Sequence, residues 1–344
     1  MKKIFTIFVM MLFISNVSAI ETSATSAILM DTDNNIILYE KNIHNVRSVA
    51  SISKIMTAVL AIESGKMDDE VIVDDIIKDA YGSAIYIQIG EKLTLRDLVY
   101  GLMLRSGNDA ALVIAKYVGG SVDHFVEMMN NKASEIGMMN SAFNNPHGLD
   151  AEDGNYSTAY DMAILTSYAM KLDEYKKITG TKKYSLKTNK NTYVWYNKNK
   201  LLKLYKYTTG GKTGFTINAR RTLVTTASKN DINLVAVTLN DGNDFIDHKN
   251  LFEFGFNNYT NYKILKKGIV NIYSDNYYNE YDLYIKKDFN YILKNNTDKD
   301  VTLKFELEKK RNFTNNDNVG KVIVFLGDDK IYSDNIYVMK REKK

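Results

Sequence analysis

The chain has 344 residues, a formal net charge of +4, four histidines and no cysteine. A chain this close to neutrality has no overall charge signature of a nucleic-acid-binding protein, and the lack of cysteine excludes disulfide bonds and thiol chemistry. Four histidines without cysteine also argue against a structural zinc site, and the sequence indicates neither a metal nor a cofactor.

The first nineteen residues have the pattern of a secretory signal peptide. Lys2 and Lys3 form a short basic start, the stretch 4–14 is almost wholly apolar, and small residues end the segment at Ala19. That apolar run is short of the roughly 20 residues that span a bilayer, so cleavage after Ala19 is favoured over an uncleaved anchor. We therefore expect an exported protein, in the cell wall or at the outer face of the cytoplasmic membrane.

The next part of the chain predicts a hairpin followed by helices. Two apolar runs, 26–30 and 36–39, flank an Asp- and Asn-rich turn, which is typical of a β-hairpin. From Ser51 the apolar residues recur with helical spacing until Gly65 ends the pattern. Four further helices are predicted over residues 94–104, 109–118, 122–136 and 160–170. The first of these has Thr94 as its N-cap.

Strands return in the second half of the chain. Residues 222–227 and 234–239 are rich in β-branched side chains and predict a second hairpin, and a closing helix follows over 247–256. The order of the predicted elements along the chain is strands, a helical block, strands again and a last helix. This order is typical of an α+β fold. In such a fold helices flank an antiparallel sheet and a helical lobe lies beside it.

The composition changes near Tyr259. Beyond it lie short strands rich in Tyr and Val, most of them separated by Asn and Asp turns. We therefore predict a first domain over 20–259 and a small all-β, sandwich-like domain over 260–344. The strands predicted in the second domain are 269–273, 281–285, 301–307, 321–326 and 331–339.

Three short motifs carry the chemistry that the sequence suggests. The first is Ser51-Ile52-Ser53-Lys54 at the predicted start of a helix, where the side chains of Ser51 and Lys54 share one face. A serine hydroxyl needs a neighbouring base to act as a nucleophile, and a lysine can be that base if burial or nearby positive charge lowers its pKa. Taken alone the pattern is common, and a helix N-cap is the simpler interpretation of Ser51.

The second motif, Ser-Gly-Asn at 106–108, falls on a predicted loop between two helices, and the third, Lys-Thr-Gly at 212–214, lies just before a predicted strand. Each also has a purely structural interpretation. The Ser-Gly-Asn motif can be a helix C-cap and turn, and the Lys-Thr-Gly motif can be a glycine-rich turn with a solvated lysine. A lysine and a threonine at a sheet edge can also hold a carboxylate, and the glycine lets a substrate lie close to the backbone. The three motifs together, in this order and on these elements, favour an acyl-serine active site.

The chain resembles the low-molecular-mass penicillin-binding proteins that act as D-Ala-D-Ala carboxypeptidases, the peptidase S11 family with a serine β-lactamase-like fold. The resemblance is strong over about residues 22–259, and the β-domain after it is similar in position and pattern. The segments that carry it are 50–58, 106–111, 145–149, 156–161 and 211–216. It implies an enzyme that removes the terminal D-alanine from peptidoglycan stem peptides and that β-lactam antibiotics acylate.

The resemblance also implies a role for each motif residue. Ser51 would attack the penultimate D-Ala carbonyl, Lys54 would take its proton, and Ser106 would relay a proton to the departing D-Ala. The base in such enzymes is disputed, so Lys54 as the sole base is a hypothesis. The backbone N–H groups of Ser51 and Phe215 would form the oxyanion hole. The residues expected to bind the substrate are Asn108 for its backbone, Lys212 and Thr213 for its terminal carboxylate, and Gly214 and Phe215 beside them.

Three further polar residues lie near the motifs. His147 sits in a Pro-His-Gly loop, and we expect it to be structural rather than catalytic. Of Arg220 and Arg221, just past the third motif, one is expected to point to solvent while the other can help to hold a carboxylate. The chain ends in a basic tail, 340–344, that has no apolar face, so we expect weak or no membrane anchoring.

Other functions share these motifs. A class A β-lactamase would need a glutamate-bearing loop to activate the deacylating water, and the region 145–160 has a different pattern. A penicillin-recognising sensor would want a transmembrane segment, and a wall-binding scaffold would be expected to have lost a motif residue. An endopeptidase that cuts peptide cross-links stays open as an enzymatic variant.

Overall fold

The structure is a computed structural model that describes residues 20–150, 154–272, 276–309 and 313–341. The predicted signal peptide lies outside these ranges. A 3₁₀ turn, Ala50–Ser53, leads directly into the first α-helix. The α-helices of the described residues are α1 (Lys54–Glu63), α2 (Leu95–Arg105), α3 (Asn108–Gly119), α4 (Val122–Glu135), α5 (Ala159–Ala169), α6 (Asp173–Gly180), α7 (Leu201–Leu204) and α8 (Asp244–Asn258).

The first part of the chain is built on a five-stranded antiparallel sheet. The strands of this sheet, and of three two-stranded sheets (β3–β6, β4–β5 and β7–β8), are β1 (Ser26–Asp31), β2 (Ile37–Lys41), β3 (Arg47–Ser48), β4 (Glu70–Ile72), β5 (Lys92–Thr94), β6 (Tyr156–Ser157), β7 (Lys183–Lys187), β8 (Thr192–Tyr196), β9 (Thr208–Thr216), β10 (Arg220–Lys229) and β11 (Ile232–Leu239). The order in the large sheet is β2-β1-β11-β10-β9, so β9, which carries the Lys-Thr-Gly motif, is an edge strand.

The large sheet is buried on both faces, which makes its central strands almost continuously apolar. Every residue of β1 is buried. Ile28 and Met30 pack into the core of the helical lobe, whereas Leu29, on the opposite face, packs with Phe252 of α8. The sheet therefore separates two cores, and its edge strand β9 packs against the 3₁₀ turn Ala50–Ser53 and α6.

The helical lobe places the second motif through the end of one helix and the start of the next. Thr94 and Asp97 form a capping box at the start of α2, as the sequence predicts for Thr94. The helix ends at Ser106, whose φ of 66° is left-handed, and α3 begins two residues later at Asn108. This tight junction places the side chain of Ser106 against Lys212 of β9 and that of Asn108 against Lys54 of α1.

The last part of the chain is all-β. Its strands are β12 (Tyr259–Leu265), β13 (Gly268–Ile269), β14 (Tyr281–Ile285), β15 (Phe289–Lys294), β16 (Val301–Leu307), β17 (Asn318–Leu326) and β18 (Asp329–Lys340). β12 pairs with β15, and the other five form a sheet of order β13-β14-β18-β17-β16. Val322, Val324 and Ile336 lie in its core. Ile292 of β15 packs into the α8 core of the first part, so the two parts are in contact.

The α+β fold class with an all-β C-terminal part is confirmed, and the differences concern short elements. Of the strand predicted over 269–273, only Ile269 lies in a strand of the described residues, the two-residue β13, and position 273 falls outside them. Helix α6, the hairpin β7–β8 and the pair β12–β15 were not predicted, because Lys, Asn and Thr interrupt the apolar pattern there. Within the described residues no helix is long and apolar enough to cross a membrane.

Candidate active site

All three motifs converge on one cleft of about 340 Å³ between the helical lobe and the edge strand β9. Its lining residues are Ser51, Ser83, Ser106, Lys198, Lys200, Thr213, Gly214, Phe215, Arg221, Asp244 and Phe245. A larger cavity of about 580 Å³ lies beside α6 and is lined by none of the motif residues. The smaller cleft is therefore the candidate active site, because motif residues line it.

Ser51 and Lys54 form a hydrogen-bonded pair at the floor of this cleft. Ser51 lies in the 3₁₀ turn, and Lys54, the first residue of α1, lies one turn further on. The Lys54 Nζ is 3.0 Å from Ser51 Oγ and 2.7 Å from Asn108 Oδ1, and it also donates to the backbone carbonyl of His147. Lys54 is completely buried, so its nitrogen is held at the nucleophile by three partners.

The surroundings favour the uncharged form of Lys54. Burial, followed by the positive charges of Lys212 and Lys198, holds the pKa of the Lys54 amine well below its ordinary value. A neutral amine has two N–H groups and one lone pair. If the N–H groups point to Asn108 and to the His147 carbonyl, the lone pair is left to accept the proton of Ser51. The geometry thus suits a base beside a serine nucleophile.

A second lysine–serine pair closes the cleft from the sheet. The Nζ of Lys212 donates to Ser106 Oγ at 3.0 Å and to the backbone carbonyl of Thr213 at 2.6 Å. Burial, and then the charge of Lys198, lower the pKa of Lys212 to about 7. Near neutral pH this lysine can therefore hold or release a proton next to Ser106.

Asn108 lies behind the cleft rather than on its surface. Its Oδ1 accepts from Lys54, and its Nδ2 donates to the carbonyl of Tyr81 at 2.5 Å. Only 2% of Asn108 is exposed, so both ends of its amide are occupied inside the protein. In this geometry Asn108 orients Lys54, and its hydrogen bond to the substrate backbone stays a prediction.

Gly214 allows the edge strand to pass close to the nucleophile. A Cβ at Gly214 would lie 2.3 Å from Thr222 Oγ1 and 3.1 Å from the backbone nitrogen of Ser51. Because only a hydrogen fits there, the strand brings Thr213 and Phe215 to the cleft on either side of Gly214. Phe215 is 63% exposed at the mouth.

The two arginines past the third motif have different surroundings. Arg221 lines the cleft and holds the buried carboxylate of Asp244 with two hydrogen bonds of 3.1 and 2.6 Å. Arg220 is exposed, with a left-handed φ of 60°. Asp244 supplies the single carboxylate among the lining residues that the structure describes, and Arg221 already neutralises it.

His147 contributes its backbone, not its ring. Its carbonyl accepts from Lys54 and, at 3.4 Å, from Ser51 Oγ. Burial lowers the pKa of the ring to about 3, so the imidazole is neutral, and its Nδ1 accepts from the backbone N–H of Leu149 at 3.3 Å. Sequence reasoning could not find this carbonyl, because every residue has one.

Lys198 and Ser83 also line the cleft and were missed by sequence reasoning. They lie in polar loops that carry no motif, and the Nζ of Lys198 is 3.3 Å from Ser83 Oγ. In the parts of the chain that are described, no group of three or more His, Asp or Glu side chains is arranged to hold a metal ion.

Comparison with known proteins places most of the chain in the family that the three motifs suggest. Residues 14–243 match the family model for D-alanyl-D-alanine carboxypeptidase, and residues 259–344 match that for the C-terminal domain of penicillin-binding protein 5. The solved structure of penicillin-binding protein 5 from Haemophilus influenzae is similar, with a TM-score of 0.76 and 27% identity, covering 94% of this chain and 98% of that one.

Curated relatives carry the same family name. The D-alanyl-D-alanine carboxypeptidase DacF of Bacillus subtilis is 35% identical over 261 residues, which is 73% of this chain and 66% of that protein. DacC of Escherichia coli is 32% identical over 256 residues, 70% of this chain and 63% of that protein. The matched region thus spans just under two thirds of the length of these relatives. The chain belongs to the D-alanyl-D-alanine carboxypeptidase family, peptidase S11.

Proposed function

We propose that this chain is a serine-type D-Ala-D-Ala carboxypeptidase, which removes the terminal D-alanine from peptidoglycan stem peptides through an acyl-enzyme on Ser51. The observation that carries the proposal is the buried Lys54 nitrogen 3.0 Å from Ser51 Oγ, in the same cleft as the pair of Lys212 and Ser106. Family membership supports the choice of substrate.

Acylation begins with proton transfer from Ser51 Oγ to the neutral Lys54 amine. The oxygen then bonds to the carbonyl carbon of the penultimate D-Ala, and the negative charge on the carbonyl oxygen is stabilised by the backbone N–H groups of Ser51 and Phe215. The peptide C–N bond breaks as Ser106 delivers its proton to the departing amine, and the proton that Lys54 took from Ser51 replaces it on Ser106, so that Lys54 is neutral again. Free D-alanine leaves, and the rest of the peptide stays as an ester on Ser51.

The terminal carboxylate is held before cleavage by the edge strand. Lys212 and Thr213 provide a charged donor and a hydroxyl there, and Arg221 adds a second positive group that Asp244 keeps in place. Water then attacks the ester carbonyl as neutral Lys54 accepts a proton from it, and Lys54 passes this proton to Ser51 Oγ as the ester C–O bond breaks, which restores both residues. Penicillins carry a carboxylate beside a reactive amide, so we expect them to acylate Ser51 as well.

We favour a carboxypeptidase over a β-lactamase, because a β-lactamase needs a group that activates water for rapid hydrolysis of the ester. Among the described residues that line the cleft there is no free carboxylate that could do this. We also propose that the signal peptide is removed after Ala19 and that the enzyme works outside the cytoplasm, where stem peptides are found. We also propose that the mature chain consists of a catalytic domain, residues 20–259, and a small all-β domain, residues 260–344.

The test uses purified protein that comprises residues 20–344. We expect covalent labelling by a fluorescent penicillin and release of D-alanine from a D-Ala-D-Ala-terminated peptide, both abolished in Ser51→Ala. Ser134→Ala, at an exposed serine of α4, is the matched control and should keep both activities. Folded wild-type protein that takes no label would refute the proposal, and fast penicillin turnover without D-alanine release would indicate a β-lactamase.

A further inference from the structure

Lys198 is a cation of the cleft to which the proposed mechanism assigns no contact with the substrate. Its side chain is exposed to the cleft, and its Nζ lies 3.3 Å from Ser83 Oγ. Both residues are fixed to the α2–α3 junction through the backbone. The N–H of Lys198 donates to the carbonyl of Leu104 at 3.1 Å, and the carbonyl of Ser83 accepts from the N–H of Asn108 at 2.7 Å.

The charge around Lys198 is unbalanced. Among the ion pairs of the described residues none includes Lys198 or its neighbour Lys200, although both line the cleft. The one carboxylate of the lining, Asp244, is already held by Arg221. This side of the cleft therefore carries two lysines that have no acidic partner among the described residues.

The field of Lys198 reaches the reacting groups. Its charge contributes to the lowered pKa of Lys54 and of Lys212, and its own pKa is lowered by partial burial and by Arg105. Like charges gathered without a partner cost free energy, and an anionic ligand relieves that cost when it binds.

We propose that Lys198 and Ser83 form a second anion subsite, which binds a side-chain carboxylate on the residue that precedes D-Ala-D-Ala in the stem peptide. This inference rests on the proposed function, because the terminal carboxylate is assigned to Lys212 and Thr213 on the edge strand. The subsite makes the enzyme prefer stem peptides whose third residue ends in a free carboxylate over those in which that group is an amide.

The test compares two peptides, X-D-Ala-D-Ala, in which X is meso-diaminopimelate or the same residue with its side-chain carboxylate amidated. The two peptides differ in one charge, and any effect of Lys198 on the pKa of Lys54 or Lys212 acts on both equally. The ratio of their kcat/KM values therefore isolates the subsite. A surface-type ion pair predicts a preference of about fivefold for the carboxylate peptide at low salt.

We expect Lys198→Gln to bring this ratio to about one, Lys198→Arg to keep it, and raised ionic strength to reduce it in the wild type. The matched control is Lys203→Gln, an exposed lysine outside the cleft that makes the same change in charge, and it should keep the wild-type ratio. A wild-type ratio of about one, or an unchanged ratio in Lys198→Gln with D-alanine still released, would overturn the subsite alone. Release from neither peptide by wild-type protein would overturn the proposed function, and the subsite with it.

Discussion

The Nζ of Lys212 lies 3.0 Å from Ser106 Oγ and so joins the edge strand of the sheet to the α2–α3 junction. The two residues are 106 positions apart in the chain, and both are buried. This contact brings a lysine that can release a proton at neutral pH beside a hydroxyl that can pass it on.

Ser106→Ala should lower kcat for D-alanine release by about two to three orders of magnitude, because the departing amine loses its proton donor. Ser106→Gly removes the same hydroxyl but suits the left-handed φ of 66° at this position. Equal losses in both variants, measured as initial rates of D-alanine release, assign the effect to the hydroxyl. Full activity of the glycine variant would instead assign the loss in the alanine variant to backbone strain.

The pH dependence of substrate capture should depend on Lys212. With a pKa of about 7, the Lys212 side chain is charged below that pH and increasingly neutral above it. The value of kcat/KM for a D-Ala-D-Ala peptide should therefore decline as the pH rises through about 7, because the terminal carboxylate loses its cation. Lys212→Arg stays charged throughout, so its profile should lack this decline. The same decline in the arginine variant would show that another group causes it.

Gly148 should be essential for the geometry of the nucleophile. It has a φ of +79°, and a Cβ there would lie 2.1 Å from the carbonyl oxygen of Ala50 and 2.5 Å from Ser53 Oγ. Gly148→Ala must move the turn that holds Ser51, so we expect a loss of about 2–3 kcal/mol in the free energy of unfolding. The rate of penicillin acylation should fall at least about tenfold, since each 1.4 kcal/mol in barrier height is a factor of 10.

The control for this change is Gly137→Ala. Gly137 has a similar φ of +86° but no atom within 4 Å of its built Cβ. It should lose only the roughly 1 kcal/mol of a left-handed alanine and should keep the wild-type rate of labelling. If both variants label equally fast, the close contact at Gly148 does not position Ser51.

A buried histidine should make stability sensitive to acid. His248 is fully buried between Thr225 Oγ1, at 2.5 Å, and Thr238 Oγ1, at 3.0 Å, and burial lowers its pKa to about 3. The unfolded chain, with an ordinary pKa of about 6.5, binds a proton that the folded chain rejects between about pH 6.5 and about pH 3. The free energy of unfolding therefore falls as the pH drops through this window, by at most about 1.4 kcal/mol per pH unit for this group.

The measurement is urea unfolding of wild type and His248→Gln from about pH 7 down to about pH 4. The variant is expected to be less stable at neutral pH, because it disturbs the buried link between β10 and β11. Its dependence on pH should nevertheless be shallower by up to one proton. Parallel curves for the two proteins would contradict the assignment.

Several parts of this protein could be predicted from local sequence pattern alone. Helical periodicity located α2 to α5 to within a residue or two, and Thr94 caps α2 as expected, because capping and amphipathic faces depend on residues three or four apart. The order of the three motifs, and the elements that carry them, predicted one active site before any distance was known.

The contacts among the motif residues depend on how distant parts of the chain pack together. Asn108 is occupied by Lys54 and Tyr81, and the carbonyl of His147 completes the environment of Lys54. Lys198 stands in the cleft without an anionic partner among the described residues, and it lies far in the chain from Lys54, whose pKa it helps to lower. Side-chain burial, electrostatic interactions and hydrogen bonds to backbone carbonyls depend on groups that are distant in sequence. A local sequence pattern therefore cannot predict which of these groups will be in contact.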